Sequence, residues 1–382
     1  MEMNLEDIRE QLNRIDDQLT ALFVRRMRLC QNVAVYKKEK GLPILDSGRE
    51  RQIMNRVTAQ AGEDMEHYTK LLYQTLFNVS RACQAERMYG ASTLMDTLEH
   101  AAKNIRKTMP NRALVACQGT EGAYSQKICD QMFEFADILY MNTFNDVFNA
   151  VERGMCPYGV LPIENSTAGS VTQVYDLMEK HHFHIVRAGR QRIDHRLLAL
   201  PGVKMADVRE VVSHEQALRQ CGAFLAAHPG IQAQPMENTA VAAAYVAQSG
   251  RRDLAAIASQ ECEALYGLEA LSDNVSDTGS NATRFICIAK ELEVYEGADK
   301  ISLMLSAAHK PGALYRLLSH IAVMGLNLTK LESRPIPGKD FEFRFFFDIE
   351  GSILDEKVRR LMEQLRRESD QFVFLGNYEE LR

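Results

Sequence analysis

Residues 5–36 read LEDIREQLNRIDDQLTALFVRRMRLCQNVAVY. Within them Leu5, Ile8, Leu12, Ile15, Leu19, Leu22, Arg26, Leu29, Val33 and Tyr36 recur at alternating steps of three and four. That spacing is a heptad seam of about four and a half repeats, so it predicts one long helix packed along its length against others. Gly41-Leu42-Pro43 ends it, and helical patterns follow from about Asp46 to Ala61 and from about Asp64 past Gln84. The first ninety residues are therefore expected to be all-helical. Arg26 holds a seam position that is otherwise apolar or Tyr. An unpaired charge there is costly, so an anion should meet it, unless Arg26 snorkels to solvent or pairs with a carboxylate from another helix.

Lys37 follows Arg26 by eleven residues, about three turns and ~16 Å along nearly the same face. Asp46, Arg49 and Glu50 share a face of the second helix, and Ser80 and Gln84 share one on the third. Singly, such residues are most simply solvated. Their order, Arg9, Arg26, Lys37, Asp46, Arg49, Glu50, Ser80, Gln84, set in IREQLNRIDDQL, VAVYKK and DSGRERQI, resembles the all-helical chorismate mutases. Those enzymes are intertwined three-helix dimers. The resemblance implies that Arg26 and a partner chain's Arg9 clamp the two carboxylates of chorismate, with Lys37 and Gln84 donating to its ether oxygen. Asp46, Arg49, Glu50 and Ser80 would hold the ring hydroxyl and a carboxylate. Arg9, seventeen residues before Arg26, points about 100° away round the helix, which agrees with service to another chain.

The whole chain has 382 residues, 46% hydrophobic and 25% charged, an ordinary globular composition with room for two or three domains. Its net charge of −6 argues against a protein that binds nucleic acid by neutralising phosphates. The longest apolar run, Ala240 to Ala247, is far short of the ~20 residues of a membrane span. The opening MEMNLEDIRE is acidic, unlike a signal peptide, so a cytoplasmic protein is expected. The eight cysteines include no CxxC pair and read as reduced, buried thiols.

Residues 91–110 read as helix tail and linker. From Ala113 short apolar runs (ALVACQG, YGVLPI, EVVSH, AAIAS, RFICIAK) alternate with helical patterns, an α/β texture with parallel strands. Strands lead into polar turns at Gly119 to Ser125, Glu164-Asn165-Ser166-Thr167, Ser213-His214-Glu215-Gln216 and Glu237-Asn238-Thr239. Such turns bind ligands in open α/β folds, although each Ser, Thr or Asn taken alone is better explained as a helix cap. Gly119-x-x-Gly122 is neither a P-loop nor GxGxxG. His181-His182-Phe183-His184 lacks a second cluster with ligand spacing and reads as a helix end entering a strand, so no metal and no cofactor are expected.

The segments GTEGAYSQ, LPIENSTAGSV, IDHRLL, SHEQALRQC and Asn281-Ala-Thr283-Arg284-Phe285 resemble prephenate dehydratase over about residues 112–290. The resemblance implies two α/β lobes, like a hinged periplasmic binding protein, with the site in the cleft. It makes Thr283 the group that assists departure of the ring hydroxyl. Asn165, Ser166, Thr167, Ser213, Gln220 and Arg284 would bind or orient prephenate, with Glu164 a supporting carboxylate.

After residue 298 the pattern is strand, helix, strand, strand, helix, strand, the βαββαβ order of a ferredoxin-like sandwich. Pro311-Gly312-Ala313-Leu314 and Glu332-Ser333-Arg334-Pro335 resemble the effector motifs of ACT domains, which bind phenylalanine between paired copies. Gly312, Ala313, Leu314, Asn327, Glu332, Ser333, Arg334 and Pro335 would form that site, with Tyr315 standing where the family usually has Val. The expected plan is a mutase over 1–90, a linker over 91–110, a dehydratase over 111–290 and a regulatory domain over 298–378, in a homodimer or larger homo-oligomer. Its substrates would be chorismate and prephenate and its effector L-phenylalanine. An arogenate-preferring dehydratase and a non-catalytic sensor of aromatic metabolites are the rival readings.

Overall fold

The structure is a computed structural model describing residues 4–89, 92–307, 309–336, 338 and 342–381. It forms two compact units that divide at Thr97, with residues 314–316 grouped with the first. Residues 90 and 91, the expected end of the first domain, lie outside the described residues.

The first unit is helical, as the seam requires. Its long helix spans Leu5–Lys40. Asn4 caps its start by accepting from Glu6 N at 2.8 Å, and Gly41 ends it in the left-handed conformation at φ 65°. Acidic Glu6 and Asp7 sit in its first turn and Lys37, Lys38 and Lys40 in its last, matching the helix dipole. Helices Ser47–Ala61 and Glu66–Tyr89 follow. Along the long helix Ala34 is buried, whereas Leu5, Leu12, Ile15, Leu19, Leu22, Leu29 and Tyr36 each stay more than half exposed. The seam is therefore incompletely covered within one chain.

The expected linker carries a helix instead, Thr93–Lys103, because Leu98 and Ala101, one turn apart, are both buried. Two lobes follow. In the first, strands Arg112–Gln118, Phe135–Met141 and Tyr158–Asn165 are parallel, and Ala282–Ala289 returns antiparallel between Tyr158–Asn165 and His184–Arg192. The second lobe has its own five-stranded sheet, with Glu210–His214, Gln232–Met236 and Leu254–Ala258 parallel and Arg196–Ala199 and Glu269–Ser272 antiparallel. The sheets are thus mixed where parallel pairing was expected. Antiparallel returns arise because the chain crosses between lobes twice, after Arg192 and after Ser272.

The last segment has the expected strand and helix order: Lys300–Ser306, Ala313–Val323, Leu328–Pro335, Phe343–Glu350, Glu356–Glu368 and Gln371–Leu381. Its final strand runs past the expected end at Tyr378. Residues Glu379 to Leu381 pair in parallel with Arg187 to Gly189, joining this sheet to that of the first lobe. The join needs Gly376, whose φ is 154° and where a Cβ would lie 2.2 Å from Ile185 O. Among the described residues no helix is long and apolar enough to cross a membrane.

Candidate functional site

In the helical unit Arg26 is half-buried and donates to Ser80 Oγ and, at 3.4 Å, to Leu76 O. Its seam charge is thus met by hydroxyl and carbonyl oxygens of the third helix. One turn beyond Ser80, Gln84 is buried, and among the described residues its Oε1 has no hydrogen-bond partner. Lys37 donates to Ile44 O at 2.5 Å. Asp46 caps the second helix, accepting from Arg49 N at 2.9 Å. Glu50 pairs with Arg81, which also donates to Asn78. Arg9 and Arg49 are exposed.

In the two-lobed unit a hydrogen-bond network crosses the cleft, and its polarity is fixed by the backbone. Asn165 Oδ1 accepts from Thr167 N at 3.0 Å and Ala168 N at 2.9 Å. A carboxamide facing two backbone N–H groups must present its oxygen. Asn165 Nδ2 therefore donates, at 2.9 Å each, to Thr283 Oγ1 and Asn281 Oδ1. Asn281 Nδ2 then donates to Gln220 Oε1 at 3.0 Å, and Gln220 Nε2 donates to Thr167 Oγ1 at 2.8 Å. Thr167 Oγ1 completes the circuit on Asn165 Oδ1 at 2.7 Å. Because Thr283 Oγ1 accepts from Asn165, its own proton is left to donate elsewhere.

The strand pair that carries Asn165 and Thr283 places their neighbours on the other face of the sheet, since side chains alternate along a strand. Arg284 there is 9% exposed and meets Asp348, Glu380 at 3.0 Å and Tyr378 OH at 2.7 Å. Burial works against its charge, yet Tyr378, Asp348 and Glu380 together hold its pKa above the ordinary guanidinium value. Glu164 accepts from Lys330 Nζ at 3.1 Å. Lys330 also donates to Tyr175 OH at 2.7 Å. Burial is the main cause pushing the Tyr175 phenol up to about 12. Glu164, Ser166, Arg190, Arg284, Lys330 and Asp348 are among the residues lining a cleft of about 280 Å³ on this face.

The C-terminal motif splits by the same alternation. Glu332 accepts from Ser170 Oγ, and Arg334 donates to Thr172 O at 3.0 Å and pairs with Asp176 at 3.0 Å, so both face the first lobe. Ser333 and Pro335 are exposed. Asn327 donates to Glu350 at 3.0 Å. Gly312, at φ 77°, opens the helix Ala313–Val323; Ala313 is buried and Leu314 half-buried.

The prephenate dehydratase family model matches residues 115–293, and the chorismate mutase type II model matches residues 8–85. The bifunctional chorismate mutase/prephenate dehydratase of Escherichia coli strain K12 is 30% identical over 379 residues, 97% of this chain and 95% of that one. This chain belongs to the bifunctional chorismate mutase/prephenate dehydratase family. The shared dehydratase region extends more widely: arogenate dehydratase 2 of Petunia hybrida is 35% identical over 71% of this chain and 73% of its own length. Among solved structures, prephenate dehydratase of Arthrobacter aurescens in complex with L-Phe superposes with TM-score 0.64 at 28% identity, covering 70% of this chain and 89% of that one.

The structure brings together Asn165, Thr167, Gln220 and Thr283, and joins Arg26 to Ser80. Ser166 lines the cleft on the other face with Glu164 and Arg284, accepting from Ala282 N at 3.0 Å and donating to Ser280 O at 3.3 Å. Three further expected residues stand elsewhere. Arg284 and Glu164 face the C-terminal segment by strand alternation. Ser213 is wholly buried and donates to Ile257 O at 2.6 Å, tying two strands of the second lobe. Sequence reasoning gave no role to Asn281, His195, Arg81 or Lys330. Asn281 stands two residues before Thr283, and that spacing was a usable signal; His195, set between Asp194 and Arg196, gave none. Arg81 and Lys330 gave none, because their importance comes from partners distant in sequence.

Proposed function

We propose that the helical unit rearranges chorismate to prephenate and that the two-lobed unit converts prephenate to phenylpyruvate, CO2 and water. The first step is an intramolecular Claisen rearrangement. It needs a dianionic substrate held in its reactive fold and donors aimed at charge developing on the breaking C–O bond. Arg26, with Arg9 of a second copy, would hold the carboxylates, and Lys37 and Gln84 would donate to the ether oxygen. Asp46, Arg49, Glu50 and Ser80 would hold the ring hydroxyl and a carboxylate. The uncovered apolar seam supports assembly with that second copy.

In the second step the ring carboxylate leaves as CO2, its bonding pair enters the ring, and the ring hydroxyl departs as water with one proton taken up. Departure of the hydroxyl must be assisted without over-stabilising the carboxylate. Neutral amides and hydroxyls do this better than a cluster of cations. The observation that carries the reading is the pinned Asn165 carboxamide, which turns the Thr283 proton outward as a donor. Asn165, Thr167 and Gln220 would orient prephenate around it.

The C-terminal segment is read as an ACT domain binding L-phenylalanine through Gly312 to Leu314, Asn327 and Glu332 to Pro335, and inhibiting the dehydratase. The phenylalanine complex of the Arthrobacter relative supports this. The test incubates the full chain with chorismate, without added cofactor, and follows chorismate loss and phenylpyruvate formation with and without phenylalanine. Prephenate accumulating alone would remove the dehydratase assignment. The Petunia relative favours one second reading, a preference for arogenate, which kcat/KM for the two substrates decides.

A further inference from the structure

His195 lies on the crossover between the lobes and is 2% exposed. Its backbone is held on both sides, donating to Ser276 Oγ at 3.2 Å and accepting from Val275 N at 2.9 Å, and its ring stands edge-on to Tyr124. Its Nε2 lies 3.1 Å from Gln220 Oε1, while its Nδ1 is buried with no partner among the described residues. The fixed polarity of the cleft network settles the tautomer. Gln220 Oε1 can only accept, so Nε2 carries the proton and Nδ1 is bare.

We propose that His195 is a positioning residue for the dehydratase: its Nε2–H braces Gln220, and through Gln220 and Thr167 it holds Asn165 and Thr283 in register. Gln220 ends the short helix Glu215–Gln220 of the second lobe, yet its side chain reaches Thr167 and Asn281, which lie just outside the first-lobe strands Tyr158–Asn165 and Ala282–Ala289. Its oxygen has two lone pairs. Asn281 Nδ2 takes one and the imidazole takes the other, so the imidazole anchors to the crossover a side chain that spans the cleft. Without it the carboxamide keeps a single donor on its oxygen and can rotate away from Thr167. The Thr167 hydroxyl would then lose the donor that turns its proton toward Asn165, loosening the Asn165–Thr283 contact while the backbone N–H bonds to Asn165 remain.

This inference rests on the dehydratase reading, and its test has one arm independent of activity. Histidine-selective 15N NMR of the full chain should show the Nε2-protonated neutral tautomer for His195; the Nδ1-protonated form overturns the proposal whatever the substrate. In steady-state assays with prephenate, His195→Phe keeps the ring against Tyr124 but removes the donor. Its kcat should fall about ten- to a hundredfold with KM changed less than about threefold, the signature of lost orientation. His195→Gln restores a donor and should recover kcat to within about threefold. In a Gln220→Leu background the Phe substitution should add less than about twofold, because its route runs through Gln220. Unchanged kcat in His195→Phe, additive losses in the double variant, or a folded His195→Gln as impaired as His195→Phe would each overturn the assignment. Should His195→Phe fail to fold, the Gln variant and the tautomer decide. Wild-type protein that leaves prephenate unconverted would instead remove the dehydratase reading, leaving the tautomer result to judge His195.

Discussion

Thr283 and Arg284 are joined by one peptide bond and face opposite sides of the sheet, the first into the cleft beside Asn165, the second into the carboxylates of Asp348 and Glu380. A displacement of the C-terminal sheet that pulls on the guanidinium therefore reaches the Thr283 hydroxyl through a single residue. Glu164 and Asn165 repeat the arrangement on the paired strand, with Lys330 on the outer side. The reactive pair and its outer ion pairs thus share two strands.

Arg284→Leu should destabilise the dehydratase unit by about 3–5 kcal/mol, because it leaves the mostly buried Asp348 and Glu380 without their shared cation. Thermal denaturation measures this. A wild-type melting temperature combined with a large rise in KM for prephenate would instead make Arg284 a substrate ligand.

Thr283→Val removes the hydroxyl and keeps the shape, so dehydratase kcat should fall by about 10² or more. Thr283→Ser should retain part of it, and mutase activity should be unchanged in both. Full dehydratase activity in the Val variant excludes a hydroxyl role.

The parts of this molecule legible in its sequence are those set by local periodicity. The seam from Leu5 to Tyr36 specified its helix, and the βαββαβ order after residue 298 was visible in alternating apolar runs. Thr283 and Asn165 were recognised through motifs, and the structure places them in contact. The face taken by Arg284 was not legible for a physical reason: strand alternation says that two neighbours face apart, but not which face lines the cleft. That depends on pairing with Tyr158–Asn165 and on the sheet completed by residues 379–381, contacts distant in sequence. The bond of Ser213 to Ile257 O was not legible, because a buried hydroxyl at a strand end serves the strand as readily as a ligand.

Lys330 bridges Glu164 and Glu332, linking the strand of the effector motif to the strand of Asn165. Lys330→Met should weaken inhibition by phenylalanine, raising the half-inhibitory concentration at least about fivefold, while most uninhibited turnover remains. Dose–response curves of dehydratase activity check this. An unchanged curve would place the coupling elsewhere.

Gln84 is uncharged at every accessible pH, so mutase kcat should be nearly flat through neutrality. Gln84→Glu puts a carboxyl in the same buried site, where it donates only when protonated. Activity of the variant should be confined to acid and fall as pH rises, and its pH–rate profile measures the pKa of the new carboxyl. A variant equally active at pH 8 and pH 5 would mean that position 84 does not donate to the ether oxygen.

Acid stability is governed in part by His184 and His195. Burial is the largest cause lowering the pKa of both imidazoles, partly offset at His195 by the Gln220 hydrogen bond and Asp194, and at His184 by Phe374 and Glu291. In the unfolded chain each takes a proton near the ordinary value of about 6.5. Between that value and the depressed folded value the unfolded state therefore binds more protons, so stability falls as pH is lowered through this window. Urea midpoints of the full chain should decline from pH 7 to pH 5, and His195→Gln, which cannot titrate, should flatten part of that slope. A variant whose midpoint declines as steeply as the wild type would assign the acid sensitivity to other groups.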